Sequence, residues 1–141
     1  MTGAVTATTG GVTLNGREGV TSGAIDAATA ATISSSQGAV TVANVAAKAG
    51  DLKITGKNAV KAGDVTGSAG VELTSETDKL DANAVNAGGA LKASGATGVT
   101  LASAKGVSVE SIASTGAINV TGGVTATTGG VTLNGLSLIH I

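Results

Sequence analysis

Two apolar residues flanking a single polar one recur along this chain. Val12-Thr13-Leu14, Val40-Thr41-Val42, Leu52-Lys53-Ile54 and Val71-Glu72-Leu73 come first. Leu91-Lys92-Ala93, Val99-Thr100-Leu101, Val107-Ser108-Val109, Ile118-Asn119-Val120 and Val131-Thr132-Leu133 follow. This alternation predicts short strands with one buried face. Successive side chains of a strand point to opposite sides, so the flanking pair faces inward and the middle residue outward. Gly, Asn and Ser punctuate the triplets, as turns require.

The spacing of the strands is regular. Starting points near residues 12, 33, 52, 71, 91, 112 and 131 recur every 19 to 21 residues. Residues 2–16 read TGAVTATTGGVTLNG and residues 121–135 read TGGVTATTGGVTLNG, with 14 of 15 positions identical at an offset of 119. Six steps of about 20 residues span that offset, and the two copies are expected to share one local structure. A repeat of this length, carrying several short strands and unable to bury its apolar face alone, is the unit of a solenoid. The expected fold is therefore all-β: a parallel β-solenoid with coils of about 20 residues, about seven of them over residues 1–135. At ~4.8 Å per coil it makes an open-ended rod of roughly 30–35 Å. Its exposed coil edges can template further pairing, which makes the isolated rod prone to aggregate.

Asp26–Ser34 and Val42–Ala49 are Ala-rich and offer a helical alternative as short insertions or caps. Neither reaches the ~12–15 residues at which an isolated helix becomes marginally stable. The charged run Glu76-Thr77-Asp78-Lys79-Leu80-Asp81 reads as a solvated loop on one coil.

Composition sharpens the picture. Trp, Tyr, Phe, Pro and Cys are all absent from the 141 residues, and Gly supplies 23. Without aromatic rings, which each bury a large area, Val, Leu, Ile and Ala can fill a thin core but not a wide one. Glycine is expected at the corners, where positive φ costs it nothing. The absence of Pro fits unbroken ladders, since Pro removes a ladder donor. Charged residues are only 12% and mean hydropathy is +0.38, unlike a disordered chain, which combines low hydrophobicity with high net charge.

The last six residues, Leu136-Ser137-Leu138-Ile139-His140-Ile141, break this style and hold the only His. They match the translation of a transposon mosaic-end sequencing adapter at every position. Residues 136–141 are accordingly read as a non-native tail and excluded from fold reasoning, which makes the natural chain longer than this one.

Candidate chemistry is sparse. The formal net charge is −1, and the seven Lys and one Arg are scattered from Arg17 to Lys105. No basic stripe of the kind that binds nucleic acid is expected. No stretch approaches the ~20 apolar residues of a membrane span. Without Cys, and with His only in the tail, no metal site or nucleophilic triad is expected, and no cofactor. Glu76, Asp78 and Asp81, with Lys79 among them, are the best candidate for paired-carboxylate attack on a polysaccharide, but a glycosidase needs two carboxylates at a fixed separation across a sugar. The solvated-loop reading is preferred. Gly56-Lys57-Asn58 lacks the upstream Gly and the following Ser or Thr of a phosphate loop. Asn119-Val120-Thr121 is a sequon by pattern, with Asn119 read as an outward strand residue. Outward Thr13, Thr41, Thr100 and Thr132 raise an ice-binding alternative, which Lys53, Glu72 and Lys92 at equivalent positions interrupt.

The stretches GDLKITGKNAVKAGDVTGSAGVELTS (50–75) and GGALKASGATGVTLASAKGVSVESIASTGAINVTGGV (88–124) resemble the repeat region of filamentous haemagglutinin-like exoproteins. The shared motif, G-x-Φ-x-Φ with Φ apolar at ~20-residue spacing, covers most of residues 1–135. The resemblance implies a right-handed β-helix exported by two-partner secretion through an outer-membrane transporter. It also implies a secreted or outer-surface location on a Gram-negative bacterium. The role it implies is a non-catalytic adhesin, or a stalk carrying a toxin, that meets a host-cell or neighbouring-cell surface through glycan or protein. The sequence matches neither the family's N-terminal secretion domain nor a toxin tip. An ice-binding solenoid and a polysaccharide-active β-helix are the alternatives.

Overall fold

The computed structural model describes residues 3–135 in full and residues 137–140 as backbone. Among the described residues all regular structure is β. The first coil carries β1 (Val5–Ala7), β2 (Val12–Gly16) and β3 (Gly19–Ser22). The second carries β4 (Ile25–Ala27), β5 (Ala31–Ser35) and β6 (Ala39–Val42), and the third β7 (Val45–Ala47), β8 (Leu52–Gly56) and β9 (Val60–Ala62). Next come β10 (Val65–Gly67), β11 (Val71–Ser75) and β12 (Lys79–Ala87). The long β12 turns a corner into the following coil, which continues with β13 (Leu91–Gly95) and β14 (Gly98–Gly106). Then β15 (Val109–Ala113) and β16 (Ala117–Val120) are followed by β17 (Val124–Ala126), β18 (Val131–Asn134) and β19 (Ser137–His140).

Each strand pairs in parallel with the strand one coil away. Seven strands stack as β2-β5-β8-β11-β13-β15-β18, which form one wall, and the chain makes about six turns between the first and the last. The other two walls belong to a twelve-stranded sheet, joined because β12 and β14 run through the corner between them. The register is close to 20 residues throughout: Val5↔Ile25, Val40↔Val60 and Val71↔Leu91 are examples. The stack is a parallel β-solenoid, as the repeat predicts. The duplicated segments occupy equivalent places, β1 and β2 at one end of the stack and β17 and β18 at the other.

The core consists of stacked columns. Leu14, Ile33, Ile54, Leu73, Ala93, Ser111 and Leu133 form one, each over the next. Ile33, Ile54 and Leu73 in it are fully buried. A facing wall supplies Ile25, Val45, Val65 and Val85, also buried. Small residues sit where the walls meet: a Cβ added at Gly67 would lie 3.5 Å from the Leu52 Cβ, and one at Gly106 3.2 Å from the Leu91 Cβ. Large side chains on one wall are thus met by glycine on the next, and a core without aromatics still packs closely.

Three expectations need correction, and the helical alternative falls away. Asp26–Ser34 and Val42–Ala49 contain strands β4, β5 and β7, not helix; their Ala residues are the inward small positions of strands, as at buried Ala27, Ala31 and Ala47. Val107 is 38% exposed and precedes β15, so the inward pair of that strand is Val109 and Ser111. The coil origins near 33 and 112 move to Ala31 and Val109, because the strand aligns by its neighbours' register and not by its bulkiest residue. Finally, Gly19 is the one described glycine with positive φ. Corner glycines serve instead by lacking a Cβ: at Gly38 a Cβ would overlap the Glu18 carbonyl oxygen, and at Gly116 that of Thr97.

Backbone pairing continues through the turns. Gln37 N–H donates to the Arg17 carbonyl at 2.8 Å, and Thr115 N–H to the Ala96 carbonyl at 2.8 Å. The tail reading of 136–141 falls on Leu136, Ile141 and side chains that lie outside the described residues. The backbone of β19 pairs with β16 in the register Ile118↔Leu138.

Candidate functional site

The solenoid sorts its polar chemistry into outward columns and corners. The carboxylates singled out from sequence lie in two different settings. Glu76 and Asp78 are exposed in the turn before β12, whereas Asp81 is an outward residue of β12 itself. The run 76–81 is therefore a turn followed by a strand, with Leu80 fully buried in the core. Two of the three acids are engaged. Glu76 Oε2 accepts from Lys57 Nζ at 2.9 Å. Asp78 Oδ1 accepts from the Lys79 backbone N–H at 2.8 Å and from Thr97 Oγ1 at 3.3 Å. Asp81 stands in register between Lys61 and Thr100. The Glu76–Lys57 and Asp78–Thr97 contacts tie one coil to the next, a structural use of these two acids.

Gly56-Lys57-Asn58 forms a corner of the same kind. Asn58 Nδ2 donates to the Gln37 carbonyl at 3.3 Å, and the Asn58 carbonyl accepts from Ser75 Oγ at 2.7 Å. Asn119 is outward on β16, in register with Thr100. Its Oδ1 is buried without a partner.

The Thr positions fall into separate columns. Thr13 and Thr32 are adjacent on β2 and β5, and Thr21 and Thr41 on β3 and β6. Lys53 and Lys61 follow them in their columns. A flat Thr array therefore ends after two coils on each wall.

One arrangement was visible only in part in the sequence, where Lys53, Glu72 and Lys92 stand at equivalent positions, and a second was not singled out at all. On the outer face of the seven-stranded wall, Lys53, Glu72, Lys92 and Glu110 occupy one column on four successive coils. Lys53 Nζ lies 3.6 Å from Glu72 Oε1. An open depression of about 360 Å³ lies among Asp51, Lys53, Glu72 and Lys92. Glu110 joins this column only once β15 starts at Val109, so the shifted triplet reading hid it. The second arrangement is a corner ladder. Asn44 Oδ1 accepts the Asp64 N–H at 3.0 Å, and Asp64 Oδ1 in turn accepts from the Asn83 side-chain amide. Its sequence signal is Asn or Asp recurring at 44, 64 and 83, one or two residues before an inward Val.

No cluster of three His, Cys, Asp or Glu side chains able to hold a metal occurs among the described residues. No described helix is long and apolar enough to cross a membrane. No protein-family model, no curated protein and no solved structure matches this chain.

Proposed function

We propose that this chain is a structural and adhesive repeat segment of a large bacterial exoprotein of the filamentous haemagglutinin-like kind. In this reading the parent protein is secreted or held at the outer surface of a Gram-negative cell. An outer-membrane transporter exports it, and its rod meets the surface of a host or neighbouring cell. The observation that carries the reading is the uniform parallel ladder. Each coil presents a similar short row of outward polar side chains, and side-chain bonds such as Asn58 to Gln37 and Ser75 to Asn58 link neighbouring coils in the middle of the stack. Such a rod projects a surface outward and offers many equivalent weak contacts. Weak contacts arrayed on one body gain strength by multivalency, so no single residue need dominate.

The test is binding of the purified chain to glycan-coated and cell-derived surfaces, once as a single copy and once displayed in many copies on beads. The expected result is bead capture with single-copy binding weaker by about 100-fold or more. Beads that bind none of these surfaces would overturn the adhesive role. Thermal hysteresis in the same preparation would favour the ice-binding alternative instead.

A further inference from the structure

The column Lys53, Glu72, Lys92, Glu110 alternates in sign over four successive coils of the seven-stranded wall. Thr32 precedes it and Thr132 follows it, both small and uncharged. The neighbouring outward column in the same coils is also short: Thr55, Thr74, Ser94 and Ile112. Apart from this row, Asp51 beside it and Ile112, the face is low. We infer that this wall is an interface between two copies of the chain, laid face to face as antiparallel rods.

The charge order selects the geometry. A closed dimer is isologous, so the same column must face itself across a two-fold axis. If the axis runs along the strands, between the Glu72 and Lys92 coils, the second rod is reversed. Lys53 then faces Glu110 of the other copy, and Glu72 faces Lys92. Every charge meets its opposite. If instead the rods run parallel in register, Lys meets Lys and Glu meets Glu, and like-charge juxtaposition disfavours the complex. The sequence Lys-Glu-Lys-Glu has this property because its reverse is its charge complement.

Size is compatible with a reversible dimer. Seven strands at ~4.8 Å and five residues at ~3.3 Å give a face of roughly 500 Å², or about 1,000 Å² over both partners. That is the lower limit for a specific interface and falls in the weak, transient class. Lacking aromatic anchors, the contact depends on charge and responds to salt.

Sedimentation of the full chain at about 0.01 M and about 1 M salt tests this, since the screening length falls from about 30 Å to about 3 Å. A dimer at low salt that dissociates at high salt is expected. The variant K53E/K92E and the variant E72K/E110K should each lose self-association by about tenfold or more in Kd, and mixing the two should give a heterodimer tighter than either alone. The fourfold exchange K53E/E72K/K92E/E110K keeps the alternation within the rod and should restore the wild-type homodimer. Circular dichroism checks that each variant retains its β spectrum. If both double variants lose the fold, the fourfold exchange decides alone. A chain monomeric at both salts overturns the inference. So does a dimer unchanged by K53E/K92E, which would place association elsewhere on the rod, or a folded fourfold exchange that stays monomeric.

Discussion

Ser111 stands in the core column between Ala93 and Leu133, and its hydroxyl is buried with no hydrogen-bond partner. A buried, unsatisfied hydroxyl costs about 1–3 kcal/mol. Ser111→Ala removes that cost with almost no change in volume, so the urea midpoint should rise, corresponding to about 1 kcal/mol of added stability. A lowered midpoint would show that the hydroxyl has a partner. Gly38 predicts the opposite sign. Its missing Cβ leaves room for the Glu18 carbonyl. Gly38→Ala forces backbone apart at a corner and should lower stability by about 1–3 kcal/mol, against the ~0.4–1 kcal/mol gained from a stiffer unfolded chain. A neutral result in the same unfolding assay would mean that the corner can relax. At this scale the sequence was legible wherever apolar and polar residues alternate cleanly, as at Leu52-Lys53-Ile54. It misled at Val107-Ser108-Val109 and Ile112. There an apolar residue points outward and Ser111 inward, because continuity of the ladder outweighs one side chain's preference. The corner glycines were placed correctly for a different physical reason, close approach and not backbone dihedral.

Strands here are short because the corners interrupt them, and the corner residues decide how sharply. Gly23 and Gly63 end their strands, whereas the same corner in β12 and β14 is built from Asn83-Ala84 and Ala102-Ser103 and stays paired, Ala84 with Ser103. The Asn44–Asp64–Asn83 ladder holds three successive corners in line. Asp64 also accepts the Ala84 N–H at 3.3 Å. Asp64→Ala removes the acceptor common to Asn83 and Ala84, and should cost about 1–2 kcal/mol. Faster amide exchange at Ala84, with little change at remote Ala31, is the local signature to measure; uniform exchange across both would show that the ladder does not act locally. The ion pairs contribute less. Lys48–Asp26 and Lys57–Glu76 are well exposed on both partners, and pairs of that kind are each worth about 0–1 kcal/mol. The ladder residues recur at the repeat spacing and could have been found from it. The split into three walls could not. It depends on which of several similar small-residue turns bends the chain, and alternation within a triplet carries no information on that.

The whole molecule is a one-dimensional stack. Stability in such a body is a sum of coil energies and neighbour-to-neighbour terms, so the interior coils, where Ile54 and Leu73 are fully buried, form its most protected part. Toward the two ends of the described stack the core thins: Val5, Leu14, Val124 and Leu133 are only partly buried, and Val131 is 46% exposed. The period of about 20 residues was the most legible feature of the sequence, since six independent steps all preserve it. The activity of the outer faces was the least legible, because polar residues on a solvated strand satisfy the fold equally well with or without a partner. The most direct test of the central claim, a parallel stack advancing one coil per repeat, is pairwise spin-label distance measurement along the outer column of the seven-stranded wall. With one label at Thr13 and the second moved in turn to Lys92, Glu110 and Thr132, the separations span four, five and six coils. The account predicts distances near 19, 24 and 29 Å, rising by about 4.8 Å per coil. Distances that fail to lengthen from coil to coil, or that vary without regard to the repeat, would contradict the stack.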